Sequence, residues 1–331
     1  MRKTKSFFAG LRIPGDKVVL FLALMLIVAF FSIMNKNFFS WTNLINVLIA
    51  ASLTGIVAIG ATYLIIGGMN DLSSGSLVAF TGVLGAVLSA NFGWNFWVVL
   101  PVAMAAGGLI GVFNAFMVTR INLDPFIATL VTQSIFRGFA YILNGGKAVP
   151  ISDKTFSGFG TTRLLGIPVP VIILLVSLSV FGVILAKTTF GRSVYVIGGN
   201  KDAARLAGMN PKRIALISYI MTGVLCAIGG VTLAGRMGSG QPTASVGLEF
   251  DAITAVILGG VSFTGGVGSM FGTVLGVLIL QSFNTGLIMI SVQTFWQYVA
   301  RGMLLLMALS FDHIRKQNRE KKLIEASMKD A

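Results

Sequence analysis

Apolar residues run in ten blocks along this chain, each closed by a polar stretch. The blocks cover 18–34, 44–66, 72–90, 96–118, 125–143, 167–186, 214–234, 252–264, 270–290 and 295–311. Most approach the roughly 20 residues that a helix needs to cross the hydrocarbon core of a bilayer. The pattern predicts an all-α polytopic membrane protein with about ten transmembrane spans. The block 252–264 is short, because a helix of that length rises only about 20 Å against a core of about 30 Å. Gly265-Gly266-Val267-Gly268 follows it. A broken or re-entrant helix over 252–268 is therefore a second reading, and transporters use such breaks along their pathways.

Composition agrees with the blocks. The 331 residues are 55% hydrophobic and 11% charged, with a mean hydropathy of +0.87. Soluble domains carry about 25% charged residues. The 40 glycines suit close helix approach in a membrane. The single Cys226 excludes a disulfide within the chain. The net charge of +14 reports topology rather than a nucleic-acid surface. With the N-terminus inside and the blocks alternating, the inner segments hold 18 Lys and Arg and the outer ones five. That bias predicts cytoplasmic termini. The expected layout is a cytoplasmic tail over 1–17, one transmembrane domain over 18–311 with a cytoplasmic loop at 187–213, and a basic cytoplasmic tail over 312–331. The first block is read as an uncleaved helix, because Asn35-Lys36-Asn37-Phe38 has no small-residue cleavage pattern.

The polar island 191–214 contains a short helix with both ends marked. Asn200 suits the N-cap, Asp202 the first turn and Arg205 the last. Gly208 suits a left-handed C′ position, and Pro211 forbids continuation. Two turns are too short to be stable alone, so either partners hold the helix or the island is a solvated loop with a capped turn. Two glycine-rich breaks also echo each other: Gly67-Gly68 before Gly75-Ser76, and Gly259-Gly260 before Gly268-Ser269. An internal repeat and chance in a glycine-rich chain both account for this.

Catalytic signatures are absent from the sequence. There is no phosphate-binding G-x-x-x-x-G-K-[ST] loop, no metal-ligand cluster, and a single histidine, His313, in the basic tail. No catalytic residue and no metal is expected. Arg137 and Arg301 fall within blocks near an outer end. Each either snorkels as an anchor or pairs with Glu249 or Asp251.

Three stretches carry a family resemblance. Residues Gly198-Gly199-Asn200-Lys201-Asp202-Ala203-Ala204-Arg205-Leu206-Ala207-Gly208 are similar to a G-x-N-x-x-A-A-R-x-x-G segment. Gly238-Ser239-Gly240-Gln241-Pro242 with the run from Gly247 to Gly260 is similar to G-S-x-Q-P … G-x-E-x-D-A-I-A-A-V-x-L-G-G. Asp124-Pro125-Phe126-Ile127-Ala128-Thr129-Leu130 matches P-x-F-I-x-T-L. The chain resembles the permease subunits of bacterial binding-protein-dependent ATP-binding-cassette importers for monosaccharides, the ribose-permease type. It departs from that family's G-G-I-D-L-S-x-G-S by one extra residue, Asn70 before Asp71.

The resemblance implies a non-enzymatic permease in the bacterial inner membrane, with the ten-helix arrangement also seen in vitamin B12-type permeases. Its implied partners are a second permease subunit, identical or paralogous, a cytoplasmic ATPase, an extracytoplasmic sugar-binding protein and membrane lipid, with no nucleic acid. No cofactor is expected on this chain, because the partner ATPase uses the ATP. Coupling to that ATPase is expected at Asn200, Asp202, Ala203, Ala204, Arg205, Leu206, Ala207 and Gly208. An uncharged sugar needs hydroxyl and amide partners, which makes Asn70, Ser73, Ser76, Thr129, Thr132, Gln133 and Gln241 candidate path liners, with Asp71 beside them. Hydrogen bonding between helices is the plainer use of such residues. Lys147, Lys154 and Arg163, on the loop 144–166, are candidates for docking the binding protein, or belong to an ordinary connection. A self-sufficient carrier for small polar solutes is the alternative function.

Overall fold

The computed structural model describes residues 15–329, with side chains for residues 17–317. Most of the N-terminal tail expected over 1–17 therefore lies outside the described residues. Seven of the described helices are long and apolar enough to cross a membrane. They are α1 (Gly15–Met34), α2 (Trp41–Ile66), α3 (Ser74–Phe92), α4 (Phe96–Thr119), α7 (Val169–Lys187), α10 (Pro211–Met237) and α12 (Met270–Met289). Three expected spans fall outside that set. In α5 (Pro125–Ile142), Gln133 and Arg137 dilute an otherwise apolar helix. The block 252–264 is not one helix. Its helix, α11 (Leu248–Leu258), starts earlier and stops at Gly259, rising only about 16 Å. The last block opens α13 (Thr294–Lys329), which continues unbroken through the expected boundary at 311.

The polar connections are more structured than their composition suggests. The segment 144–166 holds β1 (Val149–Pro150), α6 (Lys154–Thr161) and β2 (Arg163–Leu164), and β2 forms a hairpin with β3 (Ile167–Pro168). Asp153 caps α6, and the fully buried Phe156 packs among Phe96, Val99 and Val231. The island folds as α8 (Thr189–Gly199) and α9 (Lys201–Leu206). A short strand, β4 (Ser239–Gly240), pairs antiparallel with β1.

The bundle is organised around α10, which packs on α2, α3, α4 and α6. Its close crossings are backbone against backbone. A methyl group on Gly223 would overlap the Gly107 carbonyl of α4, and one on Gly230 would overlap the Val78 carbonyl of α3. Small residues at such crossings replace the hydrophobic drive that lipid does not supply. Helix α2 is pinned to α12 by Gln281 Nε2 donating to Thr54 Oγ1 (2.7 Å) and by the Thr62–Thr273 hydroxyl pair (2.8 Å). Such ties contribute about 0.6 kcal/mol each on average.

One end of the bundle carries α8, α9, the turn after α2 and the loop 259–269. The opposite end carries α6 and the β1–β4 pair. Gly223→Val is expected to force α4 and α10 apart, costing roughly 1–3 kcal/mol as overpacking does. Gly302→Ala, which meets nothing within 4 Å, is expected to be neutral. Thermal unfolding of the detergent-solubilised variants compares the two.

Candidate functional site

Two stretches of irregular backbone enter the bundle from opposite ends and converge. The first leaves α2 at Gly67-Gly68 and reaches Ser74. The second runs from β4 to the N-terminus of α11. They meet where Gly75, in the first turn of α3, lies against the Glu249 carboxylate and the Ser245 carbonyl, with no space for a methyl group. Backbone that lacks helical partners inside a membrane protein must find donors and acceptors locally. In the first stretch the Leu72 N–H donates to Thr129 Oγ1 (3.0 Å) and the Tyr219 hydroxyl to the Asn70 carbonyl (3.0 Å). Asp71 Oδ1 accepts from the Ser73 N–H (2.7 Å) and hydroxyl, an Asx turn. Asn114 Nδ2 of α4 donates to the same Ser73 hydroxyl (2.9 Å). Asn70 and Asp71, where the sequence departs from the family pattern, are thus each tied locally. In the second stretch Arg137 Nη1 donates to the carbonyls of Pro242 (2.8 Å) and Ala244 (2.7 Å). Gln133 Nε2 donates to Glu249 Oε1 (2.8 Å).

The expected path liners divide accordingly. Asp71, Ser73, Ser76, Thr129 and Thr132 are buried in the bundle. Asp71, Ser73 and Thr129 hold the break, while the Ser76 and Thr132 hydroxyls donate back to Ser73 and Ala128 carbonyls. Asn70, Gln133 and Gln241 are half-buried, with Gln241 bonded to Ser239. The two arginines also separate. Arg137 fastens backbone, and Arg301 pairs with Asp251 at 3.7 Å.

At the α9 end, Asn200 caps α9 as its sequence predicts, accepting from the N–H groups of Asp202 (3.1 Å) and Ala203 (2.9 Å). Gly208 takes the left-handed conformation (φ +79°), and the Met209 N–H reaches back to Ala204 (3.0 Å). Asp202 and Arg205 approach to 3.7 Å but are well exposed, so that pair adds little stability. The faces of α9 differ. Ala204 is fully buried in the chain itself, which removes it from any partner's reach, whereas Ala203, Ala207 and Leu206 (91% exposed) point outward. Lys201 and Arg205 line a cleft of about 420 Å³ shared with Gly67, Met69, Asp124 and Lys212.

Helix α8, missed in the sequence, joins α9 to the breaks. Its signals were the Thr188 cap and the Val194/Ile197 spacing, since both side chains are buried. Gly198 packs directly on the Ile66 carbonyl, and the Gly266 N–H donates to that carbonyl at 2.8 Å. Tyr195 donates to the Gly268 carbonyl (2.9 Å). The two breaks share a helix-ending pattern. Gly68 and Met69 donate to the carbonyls of Ile65 and Leu64, and Gly260 and Val261 to those of Ile257 and Val256. The likeness ends there: Ser269 caps α12, while Ser76 lies inside α3.

Lys147, Lys154 and Arg163 are exposed at the α6 end. Among the described residues no His, Cys, Asp and Glu side chains group as a metal site.

A family model described as the permease component of branched-chain amino acid transport systems matches residues 43–309. The chain is 38% identical over 313 residues to the L-arabinose transport system permease protein AraH of Escherichia coli (strain K12), covering 95% of each chain. It is 38% identical over 304 residues to the L-arabinose ABC transporter permease protein AraH of Azospirillum brasilense, covering 91% of this chain and 88% of that one. It is 37% identical over 294 residues to the ribose import permease protein RbsC of Bacillus subtilis (strain 168), covering 88% and 91%. No solved structure matches. The chain belongs to this family of transport-system permeases and is a multi-pass membrane protein.

Asn200→Ala is expected to cost about 1 kcal/mol of local helix stability. Amide exchange over 201–207 then rises roughly fivefold, while Asn200→Asp, which keeps the acceptor, stays near wild type. Hydrogen-exchange mass spectrometry reads both.

Proposed function

Starting from that membership, we propose that this chain is the transmembrane subunit of an ATP-driven importer, passing a monosaccharide across a bacterial inner membrane. Its named relatives carry arabinose and ribose, and the sugar class is taken from them. A separate cytoplasmic ATPase hydrolyses ATP, a second permease subunit completes the pathway, and an extracytoplasmic binding protein delivers the sugar. The chain itself has no catalytic role and holds no cofactor.

The observation that carries this reading is the build of α9. A capped helix with Leu206 and Ala203 outward presents a small apolar knob to a partner. Behind it, α8 leads straight to the Ile66 carbonyl and the loop 259–269, where both breaks begin or end. A push on α9 therefore reaches both breaks through backbone contacts. Asn200, Asp202, Arg205 and Gly208 shape the helix, Ala204 seats it, and Leu206, Ala203 and Ala207 meet the ATPase.

The α9 end is cytoplasmic in this reading. The excess of Lys and Arg in segments 187–213 and beyond 311 supports that side. So does the direction of the chain: α1 starts at this end and α13 leaves the bundle at it, since Lys17 lies over the Phe271 ring and Asp312 accepts from the Phe263 N–H. Ten crossings follow, counting α5, α13 and the broken element 239–258 beside the seven apolar helices. Lys147, Lys154 and Arg163 then face the binding protein, and Gln133 and Gln241 stay available to a passing sugar.

Leu206→Glu places a charge on the outward knob. ATP-dependent sugar uptake is expected to fall at least tenfold, and the ATPase subunit to be lost from pull-downs, with membrane insertion unchanged. Uptake that persists at full rate without the ATPase contradicts the proposal and turns the reading to a self-sufficient carrier.

A further inference from the structure

Helix α11 packs backbone to backbone on α12 at Gly259–Gly272 and Ala255–Gly276, and its N-terminus carries Glu249 against Gly75. Two polar ties join it and the loop that follows it to α13. Arg301 pairs with Asp251 at 3.7 Å. Asp312 accepts from the Phe263 N–H (2.9 Å) and lies 3.4 Å from the Ser262 hydroxyl. Asp251–Arg301 and Ser262–Asp312 each join residues fifty apart in sequence, so the two elements run parallel and in register. Arg315, one turn beyond Asp312, sits 3.8 Å from where a side chain on Gly260 would begin. There its charge complements the C-terminal end of α11. The loop held by Asp312 is also the loop whose Gly265 and Gly266 pack on Gly68, Gly198 and Gly199.

We infer that α11, the loop 259–269 and α13 move as one lever, and that Asp312 is the positioning residue that joins the loop to the long helix. The loop end of the lever receives motion from α8 and α9. The far end carries Glu249 against Gly75. Without the Asp312 tie the loop yields under the push, and α11 stays where it was. The tie sits in a segment whose composition reads as a plain basic tail.

The inference rests on the proposed importer function. The test reconstitutes the full chain with its ATPase and binding protein and measures ATP hydrolysed per sugar taken up. Asp312→Ala is expected to raise that ratio at least fivefold while the ATPase still co-purifies. Asp312→Asn keeps an oxygen that accepts from Phe263 and is expected to stay within twofold of wild type. A ratio unchanged in Asp312→Ala, or an Asn variant as uncoupled as the Ala variant, overturns the lever. A second arm does not depend on the Ala variant folding. Ser262→Cys with Asp312→Cys also loses the carboxylate and is expected to be uncoupled like Asp312→Ala, and a short thiol cross-link, which replaces the tie covalently, is expected to bring the ratio back to within twofold of wild type. A ratio left high by the cross-link also overturns it. If wild type itself shows no ATP-dependent sugar uptake, the importer reading fails instead, whatever Asp312 does.

Discussion

The Ile66 carbonyl ends α2 with no donor of its own helix left to satisfy it, as at every helix C-terminus. A buried orphan of this kind costs about 1–3 kcal/mol. The Gly266 N–H supplies the missing bond at 2.8 Å, and Gly198 packs against both only because it has no side chain. Three distant parts of the chain are thereby joined at backbone level: the start of the first break, the loop before α12, and the segment that carries α9. Side chains at this junction would act as compliant spacers. Backbone contact leaves little slack, which is what a transmission point needs.

The interior around the breaks follows from the same accounting. Irregular backbone enters from both ends, and several of its N–H and C=O groups are met by particular side chains. Thr129 answers Leu72, Tyr219 answers Asn70, Asp71 turns on Ser73, and Arg137 holds Pro242 and Ala244. Several of the polar residues that looked suited to a sugar are therefore occupied in holding the backbone that shapes the interior. Gln133 and Gln241 keep only single side-chain ties of their own.

Much of the fold was legible because long apolar blocks have one physical use in a chain with 11% charge. The caps of α9 were legible for a similar reason, since Asn200 and Gly208 have narrow conformational preferences. Other features were hidden. Helix α8 lies in a polar island, where two buried positions, Val194 and Ile197, make too short a stripe to stand out. The reach of α11 depends on where Gly247 and Gly259 end it, and glycine is common throughout this chain. The roles of Asp71, Thr129 and Arg137 were open because a hydroxyl or guanidinium that binds solute and one that binds backbone look alike in sequence. The burial of Ala204 beside the exposed Ala203 needed the orientation of α9, which six residues do not fix.

In the proposed importer, α9 drives the breaks through the backbone junction at Gly198. The most direct measurement is ATP-driven sugar uptake by Gly198→Ala, with co-purification of the ATPase subunit in the same membranes. The added methyl overlaps the Ile66 carbonyl but leaves the outer face of α9 untouched. The ATPase is expected still to bind, and uptake to fall at least tenfold. Uptake at the wild-type rate with the ATPase bound would contradict this coupling.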